Sequence, residues 1–184
     1  MTPGQTALKD ELIASIPSLR AFAITLIGDR DKADDLVQDT LVRAWSHLDS
    51  FEPGTNLRSW LFTILKNRFY SVLRKHKREV EDADGALAAK LATPADQPGH
   101  MDFKDFQHAL AALPAEQKMA LILVGASGFS HEEAAQICGC AIGTIKSRVN
   151  RARNRLASAL AVQSAEDFGP DRATQSVLGG AAEL

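Results

Sequence analysis

Residues 130–156 read SHEEAAQICGCAIGTIKSRVNRARNRL. Within them, residues 144–156 hold Lys146, Arg148, Arg151, Arg153 and Arg155 and no acidic residue, in a chain whose formal net charge is −2. At about 100° of rotation per residue, Ile145, Val149, Ala152 and Leu156 fall on one side of a helix starting near Thr144 and form its packing face. The opposite side carries Ser147, Asn150, Arg151 and Asn154, with Lys146 and Arg153 on one edge and Arg148 and Arg155 on the other. Upstream, Ser130 is placed to cap a helix, Glu133 stands at the capping-box position, and Ala134, Ala135 and Ile137 give a short apolar face that ends at Gly139. Helix, tight turn and cationic helix are the layout of a helix-turn-helix, whose second helix enters the major groove of DNA. A charge run by itself usually solvates a surface helix. Here the cap, the turn and the single sign of the charge agree on a polyanionic partner.

A chain of 184 residues makes one ordinary domain or two small ones. No run approaches the roughly 20 apolar residues that span a bilayer, and the start MTPGQTALKDELIASIP lacks a basic segment followed by an apolar block, so no membrane and a cytoplasmic location are expected. Cys138 and Cys140 have no second cysteine pair and no suitably spaced histidines, too few ligands for structural zinc. They are expected to be reduced packing residues, with no metal and no cofactor. Apolar spacing of three and four residues dominates and no alternating segment stands out, which predicts an all-α fold of two small helical domains joined by a flexible linker.

The first domain is expected over 10–78, after a disordered start at 1–9. It holds a helix over 10–27 ended by Gly28, a second capped by Asp31 and running to about Leu48, and a third from about Asn56 to Arg78. Residues 79–103 open with an acidic cluster and carry Pro94, Pro98 and Gly99, the composition of a linker. The second domain covers 104–162, and the tail 163–184, rich in small and acidic residues, is expected to be disordered.

Two exposed strips of the first domain carry information. In ADDLVQDTLVRAWSHL the packing side is Ala33, Leu36, Val37, Thr40, Leu41, Ala44 and Leu48, leaving Asp35, Gln38, Asp39, Val42 and Ser46 outward with Arg43 on the edge. Spacing alone leaves this as either an acidic solvated face or a protein-docking surface. In NLRSWLFTILKNRFYSVLRKHKR, Leu57, Leu61, Ile64, Leu65 and Val72 make the core side, widened by Phe62, Phe69 and Leu73. The other strip is Ser59, Trp60, Thr63, Lys66, Asn67, Tyr70, Ser71 and Arg74, along which aromatics, amides and cations alternate. Aromatic faces stack unpaired bases while Lys and Arg follow the phosphates. Core packing is the competing role for Trp60 and Tyr70. The loop Asp49 to Asn56 is a candidate wall for a pocket that takes an extruded base.

The segments DDLVQDTLVRAW, NLRSWLFTILKNRFYS, LAALPAEQKMALILV and GFSHEEAAQICGCAIGTIKSRVNRARNRL, in this order, resemble the extracytoplasmic-function (ECF) sigma factors, built of a region 2 and a region 4 domain. LRKHKREVEDADG and LVGASGFSHEEAAQICGC look like the EcfG-type subgroup, which directs the general stress response in alphaproteobacteria. The resemblance implies that Asp35, Gln38, Asp39 and Arg43 dock on the clamp helices of the beta-prime subunit of core RNA polymerase. It implies that Trp60, Thr63, Lys66, Asn67, Tyr70 and Arg74 melt and read the −10 element, and that Lys146, Ser147, Arg148, Asn150 and Arg151 read the −35 element of promoter DNA. It further implies contact with the polymerase beta flap, a linker threading toward the RNA exit path, and a NepR-type anti-sigma factor released by a PhyR-type regulator. Two other readings compete: a sigma-like decoy that sequesters an anti-sigma factor, and a stand-alone helix-turn-helix regulator. An enzyme is not expected, because no nucleophile–base set or phosphate-cradling glycine loop is visible.

Overall fold

The computed structural model describes residues 3–52, 54–82 and 103–160. All regular elements among them are helical: α1 (Pro3–Ile27), α2 (Arg30–Ser46), α3 (Leu57–Asp82), α4 (Phe103–Ala111), α5 (Ala115–Gly125), α6 (His131–Cys138) and α7 (Ile142–Ala159), with a short 3-10 turn at Leu48–Ser50. The tail at 163–184 and most of the expected linker lie outside the described residues.

Several ends differ from expectation. α1 starts at Pro3, so residues 3–9 extend the helix; the fixed φ of proline suits a first helical turn. Pro17 stays inside α1 on its exposed side. α2 is capped by Asp29, not Asp31. Gly28 leaves α1 at φ 80, which puts the next residue in extended backbone, where the Asp29 carboxylate accepts from Asp31 N at 3.0 Å and Lys32 N at 3.2 Å. α3 continues to Asp82, into the stretch assigned to the linker, because no glycine or proline interrupts it before Gly85. α7 begins at Ile142, two residues before Thr144.

The helix-turn-helix forms as its caps dictate. Ser130 Oγ accepts from Glu133 N at 3.1 Å while Ser130 N donates to Glu133 Oε2 at 2.9 Å. Gly139 takes φ 67, a left-handed turn that lets Cys140 N reach back to the Ala135 carbonyl at 3.1 Å.

α1, α2 and α3 enclose a core of Leu19, Phe22, Leu26, Leu36, Leu61, Phe62 and Leu65. Thr40 is buried there with its hydroxyl donating to the Leu36 carbonyl at 2.7 Å, so its own burial leaves that hydroxyl paired. In the second domain Met119, Leu123, Ile137, Ile145 and Val149 pack between α5, α6 and α7, and Leu110, Leu113, Ala152 and Leu156 close the α4 side. Val72 and Leu73 do not join the core: they are 48% and 39% exposed. α2 lies antiparallel to α3, and the end of α3 passes the α1–α2 corner, leaving those two side chains beside a groove. The two domains also pack on each other, α3 against α6 and α1 against α5.

Candidate nucleic-acid interface

α7 buries Ile145, Val149, Ala152 and Leu156 and turns Lys146, Asn150 and Arg151 to solvent. Each fully buried aliphatic side chain contributes about 1.5–3 kcal/mol, so this stripe sets the rotation of the helix and hence what faces outward. Arg151 makes no hydrogen bond or ion pair among the described residues, and its guanidinium is free to meet a base edge. Asn154 Nδ2 donates to Asn150 Oδ1 at 3.1 Å, which orients the Asn150 amide. Ser147 and Arg148 are half-buried. Ser147 Oγ donates to the Thr144 carbonyl at 2.9 Å. Arg148 pairs with Glu116 of α5, and its Nη1 lies 3.7 Å from Cys140 Sγ. Arg148 is therefore a strut between α5, the turn and α7, whereas Lys146, Asn150 and Arg151 form the open face.

On α3, Asn67 and Arg74 are exposed, while Trp60, Thr63, Lys66 and Tyr70 are half-buried. Thr63 Oγ1 donates to the Ser59 carbonyl at 2.9 Å. Trp60 packs on Phe51 of the preceding loop with ring centroids 5.4 Å apart, and its other side borders a cavity of about 420 Å³. Arg43, His47 and Ser50 line this cavity from the α2 side and Asn67, Arg68 and Arg74 from α3. An aromatic floor, one amide and three arginines suit a base with its phosphates. Arg43, assigned from the resemblance to the polymerase surface, opens into this cavity together with Arg74.

Asp35 and Gln38 are exposed on α2, whereas Asp39 faces Arg68 of α3, with Nη2 2.6 Å from Oδ2. Asp35 and Asp39 border a second groove of about 540 Å³, lined by Ile27, Leu36, Phe69, Val72 and Leu73. Sequence reasoning gave Val72 and Leu73 to the core and so missed this surface. Their apolar spacing was visible, but where the neighbouring helices end was not.

Tyr70 is covered enough that burial, and next the Glu116 carboxylate, push its phenol up to about 12. Burial raises the Cys138 thiol to about 11, with the neighbouring Cys140 adding to it, so it stays protonated at neutral pH. Among the described residues no group of three or more His, Cys, Asp or Glu could hold a metal ion, and no helix is long and apolar enough to cross a membrane.

Comparison with known proteins matches both halves of the chain. Residues 12–79 match Sigma-70 region 2 and residues 103–156 match Sigma-70 region 4. The ECF RNA polymerase sigma factor EcfG of Rhodopseudomonas palustris is 59% identical over 97% of this chain and 98% of its own length. The sigma factor RpoE of Bartonella quintana, solved in complex with the anti-sigma factor NepR, is 59% identical, covers 85% of this chain and 98% of its own, and superposes with a TM-score of 0.73. The anti-anti-sigma factor PhyR of the same organism shares the fold at 17% identity and a TM-score of 0.56, over 82% of this chain and 50% of its own. With region 2 matched over residues 12–79, region 4 over 103–156, and near-complete mutual coverage by a 59% identical relative, the chain belongs to the ECF sigma factors, of the EcfG type.

Proposed function

We propose that this chain binds core RNA polymerase in the cytoplasm and directs it to the promoters of a general stress regulon, under the control of a NepR-type anti-sigma factor. The observation that carries the reading is the Trp60 cavity, edged by Arg43, Asn67 and Arg74, in the same chain as the unpaired Arg151 face of α7. Two different DNA-contacting chemistries, one for unpaired bases and one for duplex grooves, are what promoter opening requires. Region 2 acts over 10–78 and region 4 over 104–162, with 79–103 linking them.

The steps follow from the surfaces. The acidic α2 strip of Asp35, Gln38 and Asp39, continued by the apolar groove at Val72 and Leu73, docks on the beta-prime clamp helices, and region 4 docks on the beta flap. Lys146, Asn150 and Arg151, positioned by Ser147 and Arg148, hold the −35 duplex. An unpaired base of the −10 strand stacks against Trp60, while Lys66, Arg74 and Arg43 neutralise its phosphates and Thr63, Asn67 and Tyr70 complete the strip. No covalent step belongs to this chain. In-vitro transcription with purified core polymerase tests the reading: the chain is expected to confer initiation at a stress promoter, NepR-type factor to abolish it, and Lys66→Ala to slow promoter opening. Initiation indistinguishable from core polymerase alone would overturn it.

A further inference from the structure

The turn that joins the two helices of the helix-turn-helix reads Cys138, Gly139, Cys140. Cys138 is the last residue of α6, and Cys140 stands next to Ala141, the N-cap of α7. Both thiols are free and both residues are half-buried, so solvent reaches them. Gly139 takes φ 67 and ψ 42, a left-handed bend that folds the chain back on α6. Gly139 N donates to the Gln136 carbonyl at 3.2 Å and Cys140 N to the Ala135 carbonyl at 3.1 Å, which fixes the turn. Residues flanking a single helical bend of either hand have Cα atoms about 5.5 Å apart, inside the span of about 4.4–6.8 Å that a disulfide bridges.

The two sulfurs have different surroundings. Arg148 Nη1 lies 3.7 Å from Cys140 Sγ, so this sulfur has a guanidinium at hand when it carries charge. Burial keeps the Cys138 thiol protonated, and the Cys140 sulfur is the next cause, which places each within reach of the other's charge. One sulfur beside a cation and a second, protonated thiol two residues away are the parts of an attacking and a resolving cysteine. The −35 face of Lys146, Asn150 and Arg151 uses neither.

We propose that Cys138 and Cys140 are a peroxide-oxidisable pair, whose intramolecular disulfide distorts the turn that sets α7 and so lowers affinity for duplex DNA. The Cys140 thiolate attacks one oxygen of hydrogen peroxide. The O–O bond breaks, the leaving hydroxide takes up the proton that Cys140 gave, and Cys140 becomes a sulfenic acid. The Cys138 sulfur then attacks the Cys140 sulfur, the S–O bond breaks, and the hydroxyl leaves as water with the Cys138 proton. Two thiols and one peroxide give one disulfide and two waters; the thiols lose the two electrons that the peroxide gains. An S–S bond of about 2.05 Å draws Cys140 Sγ away from Arg148. It also pulls on Ala141, whose carbonyl accepts from Thr144 N at 2.9 Å and Ile145 N at 3.3 Å in the first turn of α7. The consequence for DNA rests on the −35 reading given above; the disulfide rests on the turn alone.

The full chain, first reduced and then treated with hydrogen peroxide, is expected to lose two hydrogens in intact-mass measurement. It should remain a single chain on a non-reducing gel, lose both alkylatable thiols and regain them with dithiothreitol. Cys138→Ser is expected to stop at a sulfenic acid on Cys140 that dimedone captures, and Cys140→Ser to leave Cys138 unreacted. The DNA probe is a duplex selected by the reduced chain from a random pool. Its affinity for the oxidised wild type, read by fluorescence anisotropy, should fall roughly tenfold, the size of one good base contact, and return with dithiothreitol. Both variants should bind it equally before and after peroxide. All three proteins keep three methionines, so methionine oxidation weighs on them alike. No loss of two hydrogens, or a disulfide only between chains, would overturn the pair. A disulfide that leaves duplex affinity unchanged would overturn its action on α7. A reduced wild type that selects no duplex would overturn the −35 reading, while the mass measurement still decides the pair.

Discussion

Arg68 of α3 holds Asp39 of α2 through one carboxylate oxygen, with Nε at 2.8 Å and Nη2 at 2.6 Å from Oδ2. The pair joins two helices, and Asp39 Oδ1 remains available at the edge of the acidic strip. Both side chains are partly solvated, so the pair is worth at most about 1 kcal/mol to stability. Arg68→Ala is therefore expected to shift urea unfolding by no more than that, while Asp39→Ala weakens affinity for core polymerase in a binding titration by clearly more than Arg68→Ala does. Equal losses of affinity would make Asp39 a strut only.

Arg151 and Arg148 lie less than one helical turn apart and are expected to behave differently. Arg151 faces solvent unpaired, and a good bidentate contact to guanine discriminates by about 1–3 kcal/mol. Arg151→Ala should flatten −35 preference by that amount in competition transcription, with thermal stability unchanged. Arg148 is tied to Glu116 and Cys140. Arg148→Ala and Glu116→Gln are expected to lower the melting temperature of the second domain, measured by circular dichroism, and Glu116→Gln to leave −35 preference intact.

Ser130 and Glu133 close both ends of their capping box. Ser130→Ala is expected to cost about 0.5–2 kcal/mol in chemical denaturation, since it leaves the Glu133 N–H without its acceptor. Ser130→Asp, which restores an acceptor at the same place, should recover most of that loss.

Alkaline pH gives a signed prediction. Cys138 rises from 9.0 to about 11 and Tyr70 from 10.0 to about 12, both chiefly by burial. An acid raised on folding keeps its proton longer in the folded chain than in the unfolded one. Its stabilising contribution is full below the unfolded value and is lost as pH rises through the folded value. Thermal midpoints should fall between about pH 9 and 12. Cys138→Ala is expected to remove the early part of that fall and Tyr70→Phe the later part, each relative to wild type. Parallel curves for all three proteins would contradict the burial of these groups.

How far the sequence reached can be seen helix by helix. The buried stripe Ile145, Val149, Ala152 and Leu156, the α2 face of Ala33, Leu36, Val37, Thr40 and Ala44, and the Ser130–Glu133 box were all legible, because each depends on residues within a few turns of one helix. Helical periodicity and capping chemistry are local, and they determined the all-α class, the helix-turn-helix and which side of α7 faces outward. Val72 and Leu73 obeyed the same spacing and still emerged exposed, since spacing names a face without naming what covers it. Arg148 looked like its neighbour Arg151 until Glu116, 32 residues away in sequence, took it out of the reading face. Only the tertiary structure decided that Arg58 meets Phe129 and Ser127, that Arg43 opens on the Trp60 cavity and that Tyr70 is covered. Those outcomes depend on which helix ends meet across the chain, a matter of packing between distant segments that no local period encodes.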